Sequence, residues 1–117
     1  MNRWLVVASG FGAIGVVLGA FGAHGLRARL SPEQLSSWET AVTYHLLHAL
    51  LLAALAWNAG DRPIQLPATL LTLGILFFSG SIYLLVLGGP RWLGPVTPLG
   101  GLCFIAGWLS LAWLARS

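Results

Sequence analysis

All nine charged side chains of this 117-residue chain lie outside four apolar blocks. Arg3 precedes the first block; Arg27, Arg29, Glu33 and Glu39 fall between the first and second. Asp61 and Arg62 separate the second from the third, Arg91 the third from the fourth, and Arg116 follows the last. The blocks run over Trp4–Ala23, Ala41–Asn58, Leu66–Leu87 and Pro95–Leu114. Each is close to the ~20 residues that cross a hydrocarbon core ~30 Å thick. A Lys, Arg or Asp held at mid-bilayer costs about 2.5–3.5 kcal/mol, so membrane insertion selects this sorting. A water-soluble chain with 8% charged and 57% hydrophobic residues would be far from the usual quarter charged. At this size it could not hide four such blocks, since small domains bury only about 60–70% of their unfolded surface. The expectation is an all-α, integral membrane protein. Four transmembrane helices, approximately 4–24, 32–58, 66–88 and 95–115, form a single domain over 1–117.

Short connections force neighbouring helices antiparallel, which predicts an up-down-up-down bundle. The first block has the look of a secretory signal, with Ala20-Phe21-Gly22-Ala23 at its end. Its apolar stretch exceeds the ~7–15 residues of a signal core, so a retained helix is expected. Ser31-Pro32-Glu33-Gln34 reads as the start of the second helix: Ser31 as N-cap, Pro32 at the first helical position, Gln34 completing a capping box. Leu35, Trp38 and Val42 follow at helical spacing, and Trp38 is expected at the lipid–water boundary. Orientation is not decided by the positive-inside rule. Arg3, Arg62 and Arg116 lie on the side of the termini, Arg27, Arg29 and Arg91 on the other, here called the loop side. A dual-topology pair is compatible with that tie.

The first helix carries Gly12, Gly15, Gly19 and Gly22 on a stripe with Ala8 and Ala23. Small residues at such spacing let another backbone approach closely. The stripe serves either packing within the chain or a contact with a second copy or another membrane protein.

Polar groups are concentrated in the loop-side half: His24, Thr40, Thr43, Tyr44, His45, His48, Ser79, Ser81, Tyr83 and Thr97. In hydrocarbon such groups face the bundle interior or a wet cavity. Thr40, Tyr44 and His48 are spaced by four and His45 and His48 by three, so one helix presents two imidazoles and a phenol together. Ser79 and Ser81 lie about 200° apart on an ideal helix and cannot look inward equally. Two readings follow: an interhelical hydrogen-bond network, or a polar cavity that binds or passes a small molecule or proton, lined by His24, Tyr44, His48 and Tyr83. A metal or haem site has little support, because no carboxylate or thiol accompanies the histidines at that depth. The single cysteine, Cys103, reads as a small apolar residue within the fourth block. There is no Gly-x-Ser-x-Gly elbow, no paired intramembrane carboxylate, no Cys-x-x-Cys and no P-loop. No catalytic residue, metal or cofactor is therefore assigned. The net charge of +3 comes from scattered arginines, which meet lipid phosphates rather than nucleic acid. The bilayer is the expected partner.

Four segments carry a family resemblance. Gly19-Ala-Phe-Gly-Ala-His-Gly-Leu26, Trp38-Glu-Thr-Ala-Val-Thr-Tyr-His-Leu-Leu-His-Ala-Leu50, Phe78-Ser-Gly-Ser-Ile-Tyr83 and Thr97-Pro-Leu-Gly-Gly-Leu102 resemble, in order, the motifs of the YgdD-type small membrane proteins. The resemblance spans nearly the whole chain. It implies four helices and a bacterial inner-membrane location, with similar proteins in eukaryotes, and no defined activity. It also implies that Gln can stand where His45 stands, while His24 and His48 follow the pattern. The expected function is a structural or accessory membrane bundle; the alternative is binding or transport through the loop-side cavity.

Overall fold

A computed structural model describes residues 1–116. Four helices are long and apolar enough to cross a membrane: α1 (Arg3–His24), α2 (Pro32–Asn58), α3 (Gln65–Val86) and α4 (Val96–Ala115). Large apolar side chains such as Val16, Leu50, Leu84 and Ile105 remain on the outside. In water that would be ruinous; in lipid it requires no cover. α1 packs on α2, α2 on α3 and α3 on α4, in a body 49 Å long.

Residue pairing makes each neighbouring pair antiparallel. Along the α1–α2 seam, Gly15 lies beside Leu46 and Gly22 beside Trp38. Between α3 and α4, Leu71 meets Gly107 and Gly74 meets Phe104. Between α2 and α3, Ala41 faces Ser79 and Leu52 packs with Ala68. The core is layered along the long axis. Ala8, Leu52 and Ala68 form the layer toward the termini, Ala49, Ile75 and Phe104 the middle, and Leu26, Trp38, Ala41 and Tyr83 the loop side.

Helix ends follow local chemistry. Asn2 caps α1 by accepting from the Leu5 amide, and its side-chain amide donates to the Ala56 carbonyl at 2.9 Å, tying the start of α1 to the end of α2. Ser31 and Gln34 make the reciprocal capping box that opens α2, at 2.9 and 3.1 Å. α3 stops at Val86, two residues before the expected boundary, because Gly88 turns the chain with φ +99°, a conformation glycine adopts without Cβ strain. One tight turn, Arg91–Leu93, then leads into α4.

Two features depart from expectation. Midway along α3, Ile75–Ser79 widens into a π turn, a local loosening of the helix that the periodicity of the sequence does not announce. Trp38, expected at the membrane surface, is 1% exposed. Gly22 makes the difference: a Cβ there would stand 2.5 Å from the indole, so the missing side chain on α1 is the space the ring occupies. The Trp38 indole N–H then donates to the Leu18 carbonyl at 2.9 Å.

Candidate functional site

The loop-side half contains two distinct arrangements, a closed hydrogen-bond network inside and an open groove at its rim. The network is centred on α2. His45 is 3% and His48 5% exposed, and both ring nitrogens of each are engaged.

At His45, Nε2 lies 2.7 Å from the Phe11 carbonyl of α1, and Nδ1 lies 2.9 Å from the Tyr83 hydroxyl of α3. A carbonyl only accepts, so Nε2 carries the proton and the neutral ring accepts from Tyr83 at Nδ1. His48 is the reverse. Its Nδ1 lies 2.8 Å from the Tyr44 carbonyl of its own helix, and its Nε2 accepts from the Trp108 indole of α4 at 3.1 Å. An indole only donates, so Nδ1 carries the proton. Two imidazoles one turn apart thus hold opposite tautomers. His45 joins α1 to α3 through α2; His48 joins α2 to α4. The His48 ring also stacks on Phe104 with centroids 3.7 Å apart.

Ser79 and Ser81 are both buried, contrary to the expectation that the two could not look inward equally. α3 has a neighbour on each side. Ser79 donates to the Ala41 carbonyl of α2 at 2.7 Å. Ser81 donates to the Phe78 carbonyl at 3.0 Å and accepts from the Thr97 hydroxyl of α4. Every one of these contacts crosses between helices or anchors a residue that does.

Three expected members stand outside. The His24 side chain is exposed at the end of α1, with no hydrogen bond among the described residues. Thr40 bonds back to Ser36 of its own helix at 3.1 Å. Tyr44 is 42% exposed and uses its ring on Phe78, centroids 4.9 Å apart. Tyr44 does lie beside His48, as their spacing predicts, with the two rings stacked at 6.0 Å between centroids. α2 is rotated so that Ala41, His45 and His48 face its neighbours, which leaves Tyr44 at the outer edge of that contact, its ring also near Phe104. His24, Tyr44, His48 and Tyr83 accordingly do not converge on a common cavity. Of the expected packing glycines, Gly15, Gly19 and Gly22 lie against α2, whereas a Cβ on Gly12 would meet nothing within 4 Å.

Trp108, the Phe11 carbonyl and Trp38 complete the network; the first two are not expected from the polar pattern of the sequence, and Trp38 is expected only as a surface anchor. Trp108 left a signal: it stands in the middle of a 20-residue helix, too deep for an interface anchor, so its N–H needed an internal acceptor. Phe11 left none, because a backbone carbonyl is the same in every residue. The imidazole nitrogens of His45 and His48 are occupied, and no three His, Cys, Asp or Glu side chains gather as a metal-holding group among the described residues.

The groove lies between α2 and α3 at the loop-side rim and encloses about 540 Å³. Ser36, Ser37 and Thr40 form one wall and Ile82, Leu85 and Val86 the other, with Glu33 at the mouth and Thr97 on α4.

A family model described as "Protein of unknown function (DUF423)" matches residues 18–101, which take in both arrangements apart from Phe11, Phe104 and Trp108. A UPF0382 membrane protein of Staphylococcus haemolyticus is 44% identical over 113 residues, 95% of this chain and 93% of that protein. UPF0382 membrane protein YwdK of Bacillus subtilis is 37% identical over 115 residues, covering 95% and 94%. A UPF0382 membrane protein of Schizosaccharomyces pombe is 40% identical over 117 residues, covering 95% and 98%. No solved structure matches.

Proposed function

The chain belongs to the DUF423 family and is similar to UPF0382 membrane proteins over nearly its whole length, and from that premise we propose that it serves as a structural or accessory bundle of the bacterial inner membrane, in the YgdD-type group. The reading rests on one observation: each of the buried side chains His45, His48, Ser79 and Ser81 makes at least one hydrogen bond to another helix. The ring nitrogens of His45 and His48 and the hydroxyls of Ser79 and Ser81 are all engaged. A proton carrier or solute site needs donors or acceptors free to change partner; a scaffold needs them locked. Interhelical bonds of this kind contribute about 0.6 kcal/mol each in membrane bundles, enough in sum to set how four uniformly apolar helices rotate against one another.

An accessory bundle needs a face for its partner, and the outer strip of α1 offers one. Ser9, Gly12 and Val16 flank a shallow apolar groove with Leu50 and Ala53 of α2. Glycine in a helix costs roughly 1 kcal/mol against alanine, and packing within the chain explains Gly15 and Gly22 but not Gly12. The test is cross-linking in intact membranes through Gly12→Cys in a Cys103→Ser background. A discrete adduct, with another membrane protein or with a second copy, is the expected result. Monomer alone at saturating cross-linker would overturn the accessory role. In proteoliposomes, proton flux above that of empty vesicles and dependent on His45 or His48 would overturn it in favour of transport.

A further inference from the structure

We propose that the loop-side groove is a binding site for a phospholipid with a primary-amine headgroup. α2 has 27 residues, about 40 Å at 1.5 Å per residue, against a hydrocarbon core of ~30 Å. Its first turns therefore stand in the headgroup layer, and the groove opens there. Its volume, about 540 Å³, falls among small-molecule sites, which run from roughly 300 to 1,000 Å³.

The two walls differ in kind. Glu33, Ser36, Ser37 and Thr40 line it from α2, while Ile82 and Leu85 line it from α3. Glu33 is the sole charged residue of the lining, and none of the six arginines reaches it. The carboxylate forms no ion pair among the described residues. From Glu33 to Thr40 the polar wall is about 10 Å long at the helical rise. One carboxylate above a ladder of hydroxyl oxygens suits a group with several donors and a positive charge. A primary ammonium has three donors and no acceptor. A quaternary ammonium donates nothing and is recognised by aromatic faces; no aromatic residue lines this groove. An anionic headgroup would meet Glu33 with like charge. The aliphatic wall beside the polar one suits the first methylenes of an acyl chain, so the ligand is an amphiphile rather than a free amine.

The test is lipid retention in native mass spectrometry. The full chain is released from nanodiscs holding equimolar phosphatidylethanolamine, phosphatidylcholine and phosphatidylglycerol. The wild type is expected to retain phosphatidylethanolamine at least about three-fold over each of the others. Glu33→Gln should level the three. Glu39→Gln removes the same charge from the same helix but outside this groove, and should leave the preference intact. Thr40→Leu fills the polar wall and should lower phosphatidylethanolamine retention toward that of the other lipids, with helicity checked by circular dichroism. Equal retention of the three lipids by the wild type, or a preference that survives Glu33→Gln, overturns the proposal. So does equal loss in Glu33→Gln and Glu39→Gln, which would make the effect one of surface charge.

Discussion

The α1–α2 and α3–α4 seams both depend on glycine, but they use it differently. On α1 the glycines are sockets for α2: Gly15 receives Leu46, Gly19 Val42 and Gly22 the Trp38 indole. Every contact is between a missing side chain and a movable one. Between α3 and α4 the exchange runs both ways, since Gly74 of α3 receives Phe104 and Gly107 of α4 receives Leu71. At Gly100 it is backbone that arrives. A Cβ there would stand 2.1 Å from the Phe78 amide nitrogen and 2.6 Å from the Phe77 carbonyl carbon, at the π turn of α3. A side chain can swing aside from an added methyl; a backbone in a membrane helix, whose hydrogen bonds have no water to fall back on, cannot. The first seam should therefore tolerate graded change, and the second should fail at a single atom.

Gly100→Ala is the most severe test of that contrast. It should cost about 3 kcal/mol, the upper end of overpacking penalties, in denaturant titration followed by circular dichroism. Gly101→Ala, one residue on, places its Cβ 3.9 Å from the Phe78 ring and should be close to neutral. If the two variants unfold together, the α3–α4 approach is looser than described. Gly22→Ala should cost less, about 2 kcal/mol, because the Trp38 indole stands 2.5 Å away but ends a side chain. In a Trp38→Leu background that cost should largely vanish. Persistence of the full penalty there would mean α1 itself, not the socket, resists the methyl.

The polar contacts come next. His45→Leu leaves the Tyr83 hydroxyl without its partner and strips the Phe11 carbonyl of its bond across the helices, a loss of about 1–2 kcal/mol. His45→Gln keeps one donor and one acceptor near those places and should cost roughly half as much. Equal losses would deny His45 its role as the link between α1 and α3. The smallest effect is expected for Trp108→Phe, which removes only the N–H donated to His48. About 0.6 kcal/mol is expected, falling toward zero when His48 is already Phe. A penalty indifferent to the residue at 48 would remove the bond from the α2–α4 contact.

The outline of the fold was legible because two of its causes act along the chain. Excluded charge delimits apolar blocks, and caps such as Ser31–Gln34 stop and start helices at particular residues. The observed ends fall within two residues of the expected ones. The glycine stripe of α1 was legible as a packing surface, though not position by position: a Cβ on Gly12 would meet nothing within 4 Å, while Ala8 before it packs with Leu52 and Gly15 after it with Leu46. The polar residues were legible as a half of the molecule and not as a constellation. Tyr44, placed by spacing beside His48, does stack on it but stays exposed to the outside; Trp38, placed at the surface, ends up buried; Ser79 and Ser81, on opposed faces of one helix, are both inside because that helix is flanked on both sides.

These cases share a physical reason. In water, an amphipathic stripe tells a helix which face to bury, and the sequence carries that stripe. In lipid every face can be apolar, so rotation about the helix axis is set by shape and by a few interhelical hydrogen bonds, both of which are properties of pairs. The sequence by itself determined that this chain crosses the membrane four times, where each crossing begins and ends, and that no permanent charge enters the interior. Only the tertiary structure decided which side chains meet there: the opposed tautomers of His45 and His48, the indoles that serve them and the Leu18 carbonyl, and the meeting of Gly100 with the π turn, since each depends on what a second helix brings to the contact.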